Sequence, residues 1–208
     1  MGSKKAIKLI LTAMISGIIL IGVFDICRIR TMTHLAENDL EWINCYCPNE
    51  KVLFKSDDGQ IDTMFIMRKL VNNSNFPFMN PFLKFETGAD YIANATVYFE
   101  ILHDGNTYEG YVYIRKNYSD APPIIAWRLG NLFSLTDLFF ENERELYIPY
   151  DTCFTANMNN SKIIESKGPQ DSTKSIVSFE WCRKVGLKSY SLRNGEEYYL
   201  KNLYESED

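Results

Sequence analysis

Residues Ala95–Arg115, ATVYFEILHDGNTYEGYVYIR, decide the fold. ATVYFEIL and TYEGYVYIR are rich in aromatic and β-branched residues, which suit a pleated, half-buried surface. Between them stands His103-Asp104-Gly105-Asn106, and an Asp-Gly pair between two such runs reads as a β-hairpin turn. Outward from it the same grammar recurs. Lys51–Lys55 is expected as a strand that ends at Ser56-Asp57-Asp58-Gly59, and Ile61–Val71 as another. Asn72–Pro81, with four Asn and two Pro, reads as a loop. Leu146–Tyr150 reads as a strand that Pro149 puts at an edge or a bulge, and Ser175–Arg183 as a further strand. Leu187–Leu192 and Glu196–Lys201 form a last hairpin across Arg193-Asn194-Gly195, where Asn-Gly suits a type I′ turn. Leu132–Glu145 is expected to carry a short helix capped by Ser134 or Thr136, and Asn157–Ser172 to be a polar loop. The fold class is therefore α+β and β-rich: one antiparallel sheet or sandwich-like domain with one or two short helices.

An apolar run precedes this body. Leu9–Phe24, LILTAMISGIILIGVF, carries no charge over sixteen residues, with Lys4, Lys5 and Lys8 before it and Asp25, Arg28 and Arg30 after it. Extended to Ile7–Ile26, it reaches the about 20 residues needed to cross about 30 Å of hydrocarbon. A cleaved secretory signal needs small residues before the cut, and GVFDICRIRTMTHLAE offers no such site. A lipidated Cys27 would follow Asp25 and Ile26, which fit that signal badly. The expected organisation is a basic cytoplasmic tail (1–6), a transmembrane signal anchor (7–26), a juxtamembrane stalk or helix (27–50) and a β-rich extracytoplasmic domain (51–208). Lys4 and Lys5 in the short tail, with Lys8 at the near edge of the span, set the orientation by the positive-inside bias.

Outside the cytoplasm, cysteines form disulfides. Cys45, Cys47, Cys153 and Cys182 are candidates for two bridges with three possible connectivities; free buried thiols are the competing reading. Cys45 and Cys47 alternate with Tyr46, so in an extended segment they face opposite ways and pair more easily with different partners. A zinc site built from C-x-C lacks the usual spacing.

From residue 31 onward, 17 Lys and Arg stand against 26 Asp and Glu. An acidic body without a basic stripe is a poor match for nucleic acid. The 13 Tyr, 13 Phe and 3 Trp of the chain are expected to fill strands and core. Tyr108, Tyr111, Tyr113 and Trp127 are candidates for an exposed aromatic binding face. Chemistry-bearing motifs are missing: there is no G-x-S-x-G, P-loop, dinucleotide fingerprint or H-E-x-x-H. Asp57-Asp58-Gly59 lacks the remaining ligands of a calcium loop. His103, at a hairpin turn, is expected on the surface. No catalytic, cofactor or metal-binding set is expected. Asn72, Asn94, Asn117 and Asn159 each open an Asn-x-Ser/Thr triplet, an excess over composition too small to mark a glycosylated ectodomain.

Trp181-Cys182-Arg183-Lys184-Val185-Gly186-Leu187, followed by Tyr190 and Gly195, resembles the strand–turn–strand ending of uncharacterised cell-envelope proteins of Bacteroidetes-type bacteria. The resemblance implies an envelope location and a β-rich body, and it carries no catalytic residue. The functional expectation is a membrane-anchored, non-enzymatic binding or scaffolding module that meets another envelope protein or a glycan. The alternatives are an envelope hydrolase with a carboxylate-based site and a secreted carbohydrate-binding module.

Overall fold

The structure, a computed structural model, describes residues 11–20, 29–75, 89–135, 153–163 and 172–201. Residues 11–20 form helix α1 with large apolar side chains such as Ile18 and Leu20 exposed. No helix among the described residues is long and apolar enough to cross a membrane; the expected span 7–26 runs beyond them at both ends. A short helix, α2 (Glu37–Leu40), follows strand β1 (Ile29–Met32). The Asp39 carboxylate accepts the Ala36 N–H at 2.7 Å, which caps the first turn, and pairs with Lys116 at 2.9 Å.

The body is β2 (Lys51–Ser56), β3 (Ile61–Asn72), β4 (Ala89–Tyr91), β5 (Asn94–His103), β6 (Asn106–Arg115), β7 (Ile124–Leu129), β8 (Leu132–Leu135), β9 (Cys153–Asn157), β10 (Lys162–Ile163), β11 (Ile176–Cys182), β12 (Gly186–Leu192) and β13 (Glu197–Leu200). Eleven of these strands form one antiparallel sheet in the order β10-β8-β7-β6-β5-β3-β2-β13-β12-β11-β9, while β1 and β4 make a separate parallel pair. The expected β-rich body is therefore a single curled sheet. So many twisted strands do not stay open, and a register shift in β3 between Ile66 and Arg68 marks a bulge that bends it. The curl brings β7 and β9, near opposite edges, face to face inside.

Alternation along the strands fills the interior. Val97, Phe99 and Ile101 of β5, Val112 and Ile114 of β6, Met64 and Ile66 of β3, and Trp127 and Leu129 of β7 are all buried. Gly110 on β6 makes room for the Phe99 ring, which a Cβ there would strike. The segment read as a stalk belongs to this core. Leu35, Trp42, Ile43 and Tyr46 are buried, Trp42 packs edge-on to Trp127 at 5.7 Å, and the Trp181 indole donates to the Trp42 carbonyl at 3.0 Å. They close the end of the interior opposite the Asp104-Gly105 turn.

The β5–β6 hairpin forms as expected. Asp104 and Gly105 have φ of 43° and 74°, and His103 pairs with Asn106, as a two-residue type I′ turn requires. The last hairpin differs. Gly195 has a φ of 93°, while Asn194 is not left-handed. The Gly195 N–H donates to the Leu192 carbonyl and the Leu192 N–H to the Glu196 carbonyl, the pattern of a three-residue loop with a glycine bulge. The Arg193 and Asn194 amides are drawn to the carbonyls of Ser175 and Thr173, which selects this geometry. The start of the expected helix at Leu132–Glu145 is instead strand β8, held to β7 with Leu132 and Ser134 buried; its remainder, and the strand expected at Leu146–Tyr150, lie outside the described residues. The expected loop at Asn157–Ser172 contains β10.

Cys153 and Cys182 face each other across β9 and β11 as a disulfide. Cys45 and Cys47 are free thiols, so one of the two expected bridges is present. Cys45 is half-buried beside a Tyr46 that is fixed by Leu187, which leaves it packed against the core. Cys27 lies outside the described residues.

Candidate functional site

The hairpin Asn94–Arg115 and its neighbour β7 sort their side chains by parity, and this separates the four aromatic candidates. Tyr108 and Trp127 face inward and are buried at 1% and 0% exposure. They are core residues, not part of an exposed face: Trp127 sits opposite the inward Val112, and the Tyr108 hydroxyl donates to the Lys174 carbonyl at 2.6 Å. Tyr111 and Tyr113 face outward and are half-buried.

The outward positions of five strands fall into register. Arg68, Tyr98, Tyr111, Arg128 and Phe133 lie opposite one another in one row across β3, β5, β6, β7 and β8. The next row is Leu70, Thr96, Tyr113, Ala126 and Leu135, and beyond it Arg115 stands between Asn94 and Ile124. Together these rows form an open groove of about 470 Å³ on the convex face, with Ile124, Ala126, Phe133 and Leu135 as floor and tyrosines on one wall. That volume lies in the range of small-ligand clefts, about 300–1,000 Å³. Tyr98 and Tyr111 have ring centroids 6.2 Å apart, tilted by 54°. Burial pushes the Tyr111 hydroxyl's pKa up against the pull of the Arg128 charge, so it remains a hydrogen-bond donor at neutral pH. Arg115 is half-buried at one end of the groove, and its side chain makes no ion pair or hydrogen bond among the described residues. At the other end the outward pair beyond Tyr98 and Tyr111 is Glu100 opposite Glu109.

No family model matches the chain, and no curated protein or solved structure matches it either.

A second polar cluster lies inside the curled sheet, near the turns. His103, expected on the surface, is 3% exposed. It continues the inward series Ala95, Val97, Phe99 and Ile101, and that period of two was the signal that placed it inside. Its Nδ1 lies 2.9 and 3.2 Å from the two oxygens of Asp62, whose carboxylate also accepts the Tyr190 hydroxyl. The Nε2 is 3.8 Å from a Glu196 oxygen, and the Tyr198 hydroxyl reaches Gln60 at 3.0 Å and Glu196 at 3.1 Å. Burial raises the Asp62 carboxyl's pKa, opposed by the Tyr190 bond and the His103 charge. Burial and the neighbouring Asp62 hold the Tyr190 and Tyr198 hydroxyls well above their ordinary range. Tyr190 stacks on Tyr198 at 5.1 Å. The cluster satisfies buried polar groups against one another, as interiors demand.

One group of three possible metal-ligating side chains occurs among the described residues, Cys153, Glu180 and Cys182. Two of its members are the disulfide, so it holds no thiolate pair for an ion. Of the Asn-x-Ser/Thr triplets, Asn117 and Asn159 are exposed, whereas Asn72 and Asn94 face each other at the ends of β3 and β5.

Proposed function

We propose that this protein is a non-enzymatic binding module of a bacterial cell envelope, tethered by the apolar segment 7–26 with its β-rich body outside the cytoplasm, and that it holds its ligand in the convex groove of β5–β8. The observation that carries the reading is the half-buried Arg115 side chain, without a partner among the described residues, at the end of a tyrosine-walled groove. A guanidinium without a carboxylate partner among the described residues, beside apolar ring faces, is arranged for something that arrives from outside. Among the described residues no carboxylate lines the groove, so none of these offers an acid–base pair to a bound molecule. The hydrolase alternative would rest on Asp62 and Glu196, which flank His103, but Asp62 is 3% exposed and engaged by His103 and Tyr190. The charge-free run, its lysine flank and the resemblance at Trp181–Gly195 support the envelope location.

Full-length protein in detergent, displayed on arrays of defined neutral oligosaccharides, acidic oligosaccharides and synthetic peptides, tests the groove. Retention on one of these surfaces, lost in a Tyr98→Ala/Tyr111→Ala double variant and leaving the ligand uncleaved, is the expected result. No retention, retention untouched by the double variant, or cleavage of the ligand overturns the proposal. Alkaline carbonate washing tests the tether: the full chain stays with membranes, and a chain beginning at residue 29 is released.

A further inference from the structure

We infer that the groove binds a glycan in which a uronic acid stands among neutral sugars, with the carboxylate on Arg115 and the sugar rings against Tyr98, Tyr111 and Tyr113. This rests on the groove being the binding surface, as proposed above, and it adds the chemical class of the ligand.

Backbone chemistry argues first for a sugar. The groove lies on the face of a sheet and not at its edge. Tyr98, Tyr111 and Arg128 belong to strands paired on both sides, so their N–H and C=O groups are engaged in the ladder. Everything polar that the groove presents comes from side chains. A peptide docking in extended form draws its affinity from a free strand edge, which this floor does not supply. A pyranose has no main chain to satisfy. Its apolar C–H face fits a tyrosine ring, and its hydroxyl rim fits the phenolic tips and the Thr96 hydroxyl.

The charge pattern then selects the kind of sugar. The chain has a net charge of −5, yet Arg68, Arg115 and Arg128 all stand on this face, and only Arg115 lines the groove itself. A guanidinium fork matches a carboxylate in two parallel hydrogen bonds. Two register steps beyond Tyr98 and Tyr111, the facing Glu100 and Glu109 put negative charge at the opposite end. A ligand charged at every unit, such as polygalacturonate or single-stranded nucleic acid, would lay its far end against those acids. One carboxylate at the Arg115 end, with neutral rings leading toward the glutamates, meets attraction without that repulsion.

Isothermal titration of the full-length protein in detergent tests this with four probes: aldotetraouronic acid (one uronic acid on a xylotriose), xylotetraose, tetragalacturonate and an eight-nucleotide oligothymidylate. The acid with one carboxylate should bind at least tenfold more tightly than each of the other three. Arg115→Ala should remove that preference, and Arg115→Lys, which keeps charge but loses the fork, should retain only part of it. Thermal midpoints within a degree or two of wild type would show that both variants fold. Equal binding of xylotetraose, with loss of both sugars in Tyr111→Ala, overturns the uronic-acid inference and leaves the groove as the site. Tighter binding of tetragalacturonate or oligothymidylate overturns it in favour of a polyanion. Binding of the acid that Arg115→Ala leaves unchanged overturns it as well. Failure of all four probes in a protein that the arrays show to bind a peptide through Tyr98 and Tyr111 assigns the groove to a protein partner.

Discussion

Trp127 on β7 lies flat against Phe154 on β9, with ring centroids 4.2 Å apart and planes 9° from parallel. The two strands stand near opposite edges of an eleven-stranded sheet, so this one stack measures how far the sheet has curled on itself. Trp42 closes on the same indole from the segment before β2. The contact therefore joins three regions that are far apart in the chain.

Phe154→Ala removes one half of the stack from a buried site. The expected loss is about 3–5 kcal/mol of stability, the usual cost of truncating a buried aromatic. Urea denaturation followed by tryptophan fluorescence measures it. Tyr118→Ala, at a residue 72% exposed, serves as the control and should change stability by less than about 0.5 kcal/mol.

The Cys153–Cys182 bridge ties the edge strand β9 to β11 over a separation of 29 residues. Reduction should cost about 2–4 kcal/mol, by releasing the unfolded chain from a closed loop. Under denaturing, non-reducing conditions, two of the four body cysteines should titrate as thiols. In the folded protein, exposed Cys47 should be alkylated by iodoacetamide before Cys45. Burial pushes the Cys45 thiol up to about 12, which leaves very little of the reactive thiolate at neutral pH. Peptide mapping by mass spectrometry reads both results.

Gly186 has a φ of 84°, and a Cβ there would strike the Tyr46 hydroxyl and ring, whose oxygen accepts the Leu187 N–H at 2.7 Å. Gly186→Ala should cost about 2–4 kcal/mol, from left-handed backbone strain together with overpacking. Gly105→Ala, with a φ of 74° and open space around the new methyl, carries the strain alone and should cost about 1–2 kcal/mol. The difference between the two, from chemical denaturation, isolates the Tyr46 contact.

The pH dependence of stability should carry a mark of Asp62. Burial raises its carboxyl pKa in the folded state, so the folded protein holds that proton more tightly than the unfolded chain. The associated stability is complete below the unfolded carboxyl pKa, about 4, and is lost as pH rises through the higher folded value. Asp62→Asn has no such proton. The stability of the wild type minus that of the variant should therefore fall as pH rises from below about 4 in urea titrations. A rising difference would mean that the His103 and Tyr190 contacts outweigh burial.

Local chemistry was legible along the chain. The hairpin at Ala95–Arg115 was readable because its turn depends on two adjacent residues that tolerate positive φ, and Asp104-Gly105 supplies them. Strands β2, β3, β11, β12 and β13 are readable from their aromatic and β-branched residues, which suit a pleated surface. The turn at Arg193-Asn194-Gly195 was readable as a turn but not as a type. Distant carbonyls at Thr173 and Ser175 claim its amides, and no local pattern encodes them. The residues of β8 carry the local pattern of a helix start, whereas their burial comes from β7 and from the closing of the curl.

The sequence by itself determined that the body is β-rich, where its main turns fall, and that an apolar, lysine-flanked segment precedes it, because each of these depends on residues within a few positions of one another. Only the tertiary structure decided which face of each strand is inside. That choice buried Tyr108, Trp127 and His103, left Tyr98, Tyr111 and Tyr113 beside Arg115, and paired Cys153 with Cys182 while Cys45 and Cys47 remained thiols. The physical reason is that alternation sorts side chains into two sets, and the label of inside or outside comes from how the whole sheet curls.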